Sequence, residues 1–487
     1  MRTRPAMSAR APHSRIDRPI ARAGFDMAIV LALAALFRLP ALAADFWFDE
    51  IYSYERFARH ARSVADIFFS AALKHDNNHH LNTLALYLLG DQSNWIIYRL
   101  PGAVAGMAAV AAAMSIGRRR SRIEGLVTGV LAATSFLVVV YSTEARGYAW
   151  LLAFAAIGFL ALDRFLASGG RSSLAIFWLS IVAGLAAHPA ILHFYLGALL
   201  WSGFRLRSRP RELVRLHVVP VAWIAIWLLV VTRGSVVGGG PPWTWPRIGD
   251  EALAWTLGYP LSTVPVAIAG GIALALVLWD AWRLQAEESD EWLFSLGTIV
   301  GPIVLMAALS PPLLFPRYFL VPLFFLLPVI GRRLAALAQT FPGGRWAAGA
   351  IVIAFVIGNG VHVATFARER HGNHVAALQM IAGAADHVTV SSWSLDQWTE
   401  LPLAFYSPRL GLDRRVTYVP RADLASRPAD APRIDWALEV SQPCTPPTEP
   451  RRVLPGTNDT YVLVGSFPVC GPSGMSWLVY ARERSGP

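Results

Sequence analysis

Residues 25–50 read FDMAIVLALAALFRLPALAADFWFDE, and this stretch decides the fold. Positions 25–43 are apolar almost throughout, about the ~20 residues that a helix needs to cross a bilayer. The run then gives way to the bulky Asp45-Phe46-Trp47-Phe48 and to two adjacent carboxylates, Asp49 and Glu50. Ahead of it, residues 1–24 carry Arg2, Arg4, Arg10, Arg15, Arg18 and Arg22. Arginine collects on the cytoplasmic side of membrane helices, so this end is expected in the cytoplasm. No small-residue cleavage site follows the run, and the helix is expected to remain as a signal anchor.

The pattern repeats along the chain. Further apolar runs begin near Trp95, Gly125, Tyr148, Ser173, Pro189, Leu216, Val264, Trp292, Tyr318 and Trp346, about eleven with the first. Charged residues are only 15% of the 487, against roughly a quarter in a soluble protein. A net charge of +11 would suit a nucleic-acid binder, but the arginines lie in short loops between apolar runs, as topology requires. No nucleic-acid partner is expected. Alternate loops are basic: Arg118, Arg119, Arg120 and Arg122; Arg164 and Arg171; Arg205 to Arg215; Arg332 and Arg333. The loop 283–291 departs from this with Glu287, Glu288, Asp290 and Glu291, though acidic residues weigh little in the rule. The remaining loops, 45–94, the one around 142–146, the one near His188, 233–262 and 311–317, are expected on the outer side.

Hydropathy falls from about residue 367. A helix is expected over 374–385, with strands at 388–390, 416–419, 436–440, 461–464 and 477–480. Cys444 and Cys470 could form one disulfide or stay as thiols. The expected architecture is a polytopic α-helical membrane protein of the bacterial inner membrane. It has a basic cytoplasmic segment 1–24, a transmembrane domain 25–366 and an extracytoplasmic α/β domain 367–487.

Ionisable residues at membrane boundaries are costly and therefore candidates for function. Asp49 and Glu50, if helical, point about 100° apart and serve different partners. A carboxylate there could be a general base for an acceptor hydroxyl, or simply a charge at a helix start within an aromatic belt. The segment His75-Asp76-Asn77-Asn78-His79-His80 could contact a phosphate or other substrate, bind a divalent metal through the i, i+4 pair His75 and His79, or be a solvated loop. Glu144 and Arg146 could be a structural ion pair or could contact substrate. Arg317, followed by Tyr318, could hold a phosphate in its planar fork or snorkel to lipid headgroups, and Lys74 invites the same two readings.

Taken in order, these pieces resemble the GT-C class of membrane glycosyltransferases, in particular the dolichyl-phosphate-mannose protein mannosyltransferase and aminoarabinose transferase group. Asp49-Glu50 with Tyr52 and Tyr54 resembles the Asp-Glu element of the first outer loop, and DNNHHLNTLALYLL (76–89) that loop's later element. YRLPGAVAG (98–106) resembles an Arg-Leu-Pro helix start, STEARGYAW (142–150) a Ser-x-Glu-Ala-Arg-x-Tyr element, and FPRYFLVPL (315–323) the late Arg-Tyr loop. His79-His80 departs from the Pro residues of many relatives. The resemblance implies an inverting transfer of a sugar from a polyprenyl-phosphate donor to a glycolipid, polysaccharide or protein acceptor. It implies Asp49, with Glu50, as the catalytic carboxylates. Arg317 and Tyr318 lie at the departing phosphate, and His79 faces it in the segment His75, Asp76, Asn78, His79, His80. Glu144 and Arg146 shape the sugar pocket. No cofactor is required, since positioning and charge neutralisation suffice, and a divalent metal is optional. Two other classes fit less well. A flippase of lipid-linked sugars would carry charges inside its helices and inverted repeats. A non-catalytic assembly protein would not need Asp49, His79 and Arg317 together.

Overall fold

The computed structural model describes residues 17–73, 76–235, 242–340, 342–428, 430–442, 444, 449–457 and 459–483. Every apolar run of the sequence becomes helical. Among the described residues eight helices are long and apolar enough to cross a membrane: Arg22–Ala43, Ile96–Arg118, Tyr148–Ser168, Pro210–Val231, Val266–Ala286, Trp292–Leu309, Pro316–Thr340 and Gly344–Gly372. The molecule is a multi-pass membrane protein. Three more of the apolar runs give shorter helices among the described residues. Arg171–Ala187 and Ile191–Arg205 are two, and the third is interrupted, Arg122–Thr134 and then Phe136–Tyr141. The break falls at Ser135, whose ψ of 118° is not helical. It strips the Phe136 N–H of an intrahelical partner, and Asn359 Oδ1 from a neighbouring helix accepts it at 2.7 Å. A buried backbone donor inside a bilayer must find such a partner.

One end of the bundle is tied by a buried ionic network. Glu291 accepts from Arg119 at 3.2 Å, Arg120 at 3.1 Å and Arg332 at 2.8 Å. Asp280 takes Arg332 at 2.7 Å and Arg333 at 2.8 Å, and Asp26 takes Arg118 and Arg122 at 2.8 Å. This accounts for the acidic loop 283–291. Its carboxylates are the counter-ions of the arginines on the neighbouring loops, so it shares their end of the molecule.

At the opposite end the loop after the first helix folds into the short helices Phe48–Tyr52, Val64–Phe69 and His80–Leu89. Above them lies the C-terminal domain, a six-stranded sheet of β1 (Val388–Ser392), β2 (Val416–Tyr418), β3 (Trp436–Ser441), β4 (Arg451–Val453), β5 (Thr460–Phe467) and β6 (Ser476–Arg482) in the order β2-β1-β3-β6-β5-β4. β1 is parallel to β2 and β3, and the remaining pairs are antiparallel. The five strand segments read from sequence all form, while β4 and the helix Asp396–Leu410 are additions. That helix carries Pro402 and Pro408, which obscure it as a pattern. The helix expected over 374–385 stops at Ala382, before Gly383. Cys444 and Cys470 are joined as a disulfide.

Candidate active site

The site begins with a helix end. The first transmembrane helix finishes at Ala43, leaving carbonyls without intrahelical donors. The fully buried Arg99 collects them, donating to the carbonyls of Ala41 at 3.1 Å, Leu42 at 3.0 Å, Ala44 at 2.6 Å and Asp45 at 2.6 Å. Its charge is met by Glu50, which takes Arg99 Nε at 2.8 Å and a second bond from Nη2. Glu50 also accepts the Ala145 N–H at 2.8 Å and the Trp47 N–H at 3.2 Å, closing the start of the helix Phe48–Tyr52. Glu50 is therefore saturated and fully buried, and it does not line the cavity. Glu50 and Asp49, grouped in the sequence reading, are separated in the structure: the four bonds of Glu50 fix the backbone, while Asp49 faces the cavity.

Asp49 points the other way, into a cavity of about 250 Å³ at the end of the bundle that the C-terminal domain covers. Its Oδ2 accepts from Arg317 Nη1 at 3.0 Å and from Arg146 Nη1. Both arginines line the same cavity. Arg317 packs over the Phe315 ring, 4.5 Å from its centroid. Arg146 is held from behind by His79, whose Nε2 accepts its Nη2 at 2.7 Å. On the other edge of the ring the Gly147 N–H points to Nδ1 at 3.2 Å. Burial first, then the charge of Arg146, hold the His79 pKa well below its usual value, so the ring is a neutral acceptor. Gly147 permits this approach, because a Cβ there would meet His79 Nδ1 at 2.7 Å and press on the Ala187 carbonyl.

The other candidates divide in the same way. Asp76, Asn78 and Tyr318 line the cavity with Asp49, Arg146 and Arg317. His79, expected to face a donor phosphate, is absent from the lining and touches the site through Arg146. His80 turns away, stacked on Phe68 at 5.6 Å and edge-on to Trp227 at 4.9 Å. Glu144 is buried behind the wall and does not line the cavity, its Oε1 3.7 Å from His371 Nε2. Burial raises its pKa to about 7, opposed by the Ser473 hydroxyl and Arg146 and reinforced by Asp49. His75 and Lys74 lie outside the described residues. Among the described residues no cluster of three or more His, Cys, Asp or Glu is placed to hold a metal ion.

Sequence reading missed much of the enclosure. Trp47, Tyr52 and Trp243 form aromatic wall from the loops at this end of the bundle, and Gln397, Trp398 and Gln442 come from the C-terminal domain. Trp243 belongs to the loop 233–262, whose sequence GGGPPWTWP is dense in Gly, Pro and Trp. Nothing local marked the three domain residues, because only the docking of the sheet brings them over Asp49.

No family model matches the chain, and no curated relative matches it. Solved structures of similar shape exist. ArnT from Cupriavidus metallidurans bound to undecaprenyl phosphate is 14% identical, with 96% of this chain and 99% of that chain covered and a TM-score of 0.49. Its apo form is 13% identical over 96% and 100%, also at 0.49. The archaeal oligosaccharyltransferase AglB from Archaeoglobus fulgidus, in complex with an inhibitory peptide and a dolichol-phosphate, is 11% identical over 88% and 70%, at 0.47. At these identities the functional reading rests on the cavity itself.

Proposed function

We propose that this protein is a glycosyltransferase. It moves a sugar from a polyprenyl-phosphate donor to a hydroxyl of a glycolipid, polysaccharide or protein at the outer face of the bacterial inner membrane, with inversion. The observation that carries the reading is one carboxylate between two arginines, Asp49 between the buried Arg146 and the half-buried Arg317, at the membrane boundary of a partly enclosed cavity. The N-terminus lies in the cytoplasm and the sheet domain outside.

The chemistry balances with these groups alone. Asp49 takes the proton of the acceptor hydroxyl. The acceptor oxygen forms a bond to the anomeric carbon as the bond from that carbon to the phosphate oxygen breaks. The electron pair leaves with the polyprenyl phosphate, whose charge grows from about −1 as a diester to about −2 as a monoester. Two guanidiniums already aimed at that position stabilise the added charge more than the starting charge, which is the requirement for catalysis. No metal is needed in this scheme. The prenyl chain lies along the apolar helices, and the aromatic walls offer flat faces to sugar rings.

The test is transfer in proteoliposomes with purified protein, a panel of labelled polyprenyl-phosphate sugars and a membrane extract as acceptor. Label should move with the wild type and fall by two or more orders of magnitude with Asp49→Ala. Equal transfer by both would remove Asp49 from the mechanism. No transfer from any donor by folded protein would favour a lipid-sugar transporter.

A further inference from the structure

The two arginines at the mouth of the site are charged groups with very little to bind. Among the described residues, the one carboxylate within ion-pair distance of either guanidinium is Asp49, and both use the same oxygen of it. Side-chain exposure is 9% at Arg146, 18% at Arg317 and 20% at Asp49, so this is a largely desolvated trio with an excess positive charge. What holds the arginines in place apart from Asp49 carries no charge: the neutral His79 ring behind Arg146, and the Phe315 face against Arg317. A carboxylate in either role would have cancelled the cation. The backbone beneath Asp49 is fixed by the saturated Glu50, so Asp49 leaves the arginines only by rotating its own side chain.

We propose that Asp49 is a stand-in for the donor phosphate: it occupies both arginines in the empty enzyme, and the phosphate displaces it and frees it to act as base. This rests on the donor-transfer reading above and adds a binding order to it. The Oδ2 shared by two guanidiniums has both lone pairs in use, and the side chain stays turned to the arginines, so only Oδ1 is open to a hydroxyl until a phosphate takes the guanidiniums. A phosphate offers several oxygens to the same two forks and takes both bidentately, which one shared oxygen cannot. The arginines stay where His79 and Phe315 hold them, so the anion enters a formed site. Donor binding therefore frees Oδ2 and lets the Asp49 side chain turn toward the acceptor, so the full base is available once a donor is in place.

The decisive measurement is the affinity of undecaprenyl monophosphate for the full-length protein in detergent, compared between wild type, Asp49→Asn and Arg317→Ala. Removing the stand-in's charge removes a competitor. Asp49→Asn should bind the lipid about tenfold more tightly while losing transfer, and Arg317→Ala should bind it at least tenfold more weakly. Thermal unfolding of each variant verifies its fold, with Asp49→Ser as the replacement should Asn not fold. Binding by the folded Asp49 variant that is equal to or weaker than wild type overturns the proposal while leaving lipid-phosphate binding intact. Absence of binding by the wild type itself overturns the donor reading and this proposal together.

Discussion

Glu144 shows what burial does to a single side chain. The folded protein keeps its proton up to about pH 7, whereas the ordinary value of a glutamate is near 4.5. Between those values the unfolded chain has released a proton that the folded chain retains. Stability therefore falls as pH rises from about 4.5 to 7, and the loss is complete above 7. The size is on the order of 3 kcal/mol at most. Glu144→Gln cannot ionise, so its thermal unfolding in detergent should be flatter than that of the wild type between pH 5 and 8, with the variant the more stable at pH 8. Parallel pH curves for the two proteins would show that the residue is not the source. The same scale explains why Asp49 and Glu50 could be found in sequence but not told apart there. Their chemistry is identical, and only the partners brought by Arg99 and Ala145 on one side, and Arg146 and Arg317 on the other, distinguish them.

At the scale of elements, the interrupted helix is the instructive case. The run that begins near Gly125 reads as one apolar stretch through Tyr141, and periodicity alone gives no reason to stop at Ser135. The stop works because the helix Gly344–Glu369 supplies Asn359, whose Oδ1 caps Phe136 while its Nδ2 donates to the Phe355 carbonyl at 2.9 Å. Asn359→Leu should leave the Phe136 N–H unpaired in an apolar setting and cost about 1–3 kcal/mol. A fall of several degrees in the detergent unfolding midpoint is expected, and an unchanged midpoint would mean that the break is capped by something else. Helices and strands with a plain pattern were legible in sequence: the eleven apolar runs, and the strands Trp436–Ser441 and Ser476–Arg482. What was not legible depended on another element, as with this break, or on residues that oppose their own element, as with the prolines of Asp396–Leu410. The roof residues Gln397, Trp398 and Gln442 were hidden for the first reason.

At the scale of the molecule, the C-terminal domain completes the site that the membrane part begins, and the join between them is specific. Asp45, fully buried just before the cavity, accepts from Arg370 Nε at 3.1 Å and from the Val375 N–H at 2.9 Å. Tyr406, from the domain's helix, donates to the Phe46 carbonyl at 2.7 Å. Both contacts land within a few residues of Asp49, so the roof and the carboxylate are fixed to one short stretch of chain. Arg370→Gln leaves the Asp45 charge buried with one donor fewer, a change that costs several kcal/mol where the charge is fully desolvated. Arg370 is itself 41% exposed, so water takes part of its place and the cost is smaller. The join should loosen before the bundle does. Amide exchange should rise at residues 374–382 and 471–475 and stay unchanged in Tyr148–Ser168, and transfer should drop about tenfold as the roof loses its register over Asp49. Exchange that rises evenly through both parts would mean that the contact stabilises the whole fold rather than holding the roof, and the cavity would then have to be closed by some other contact of the domain.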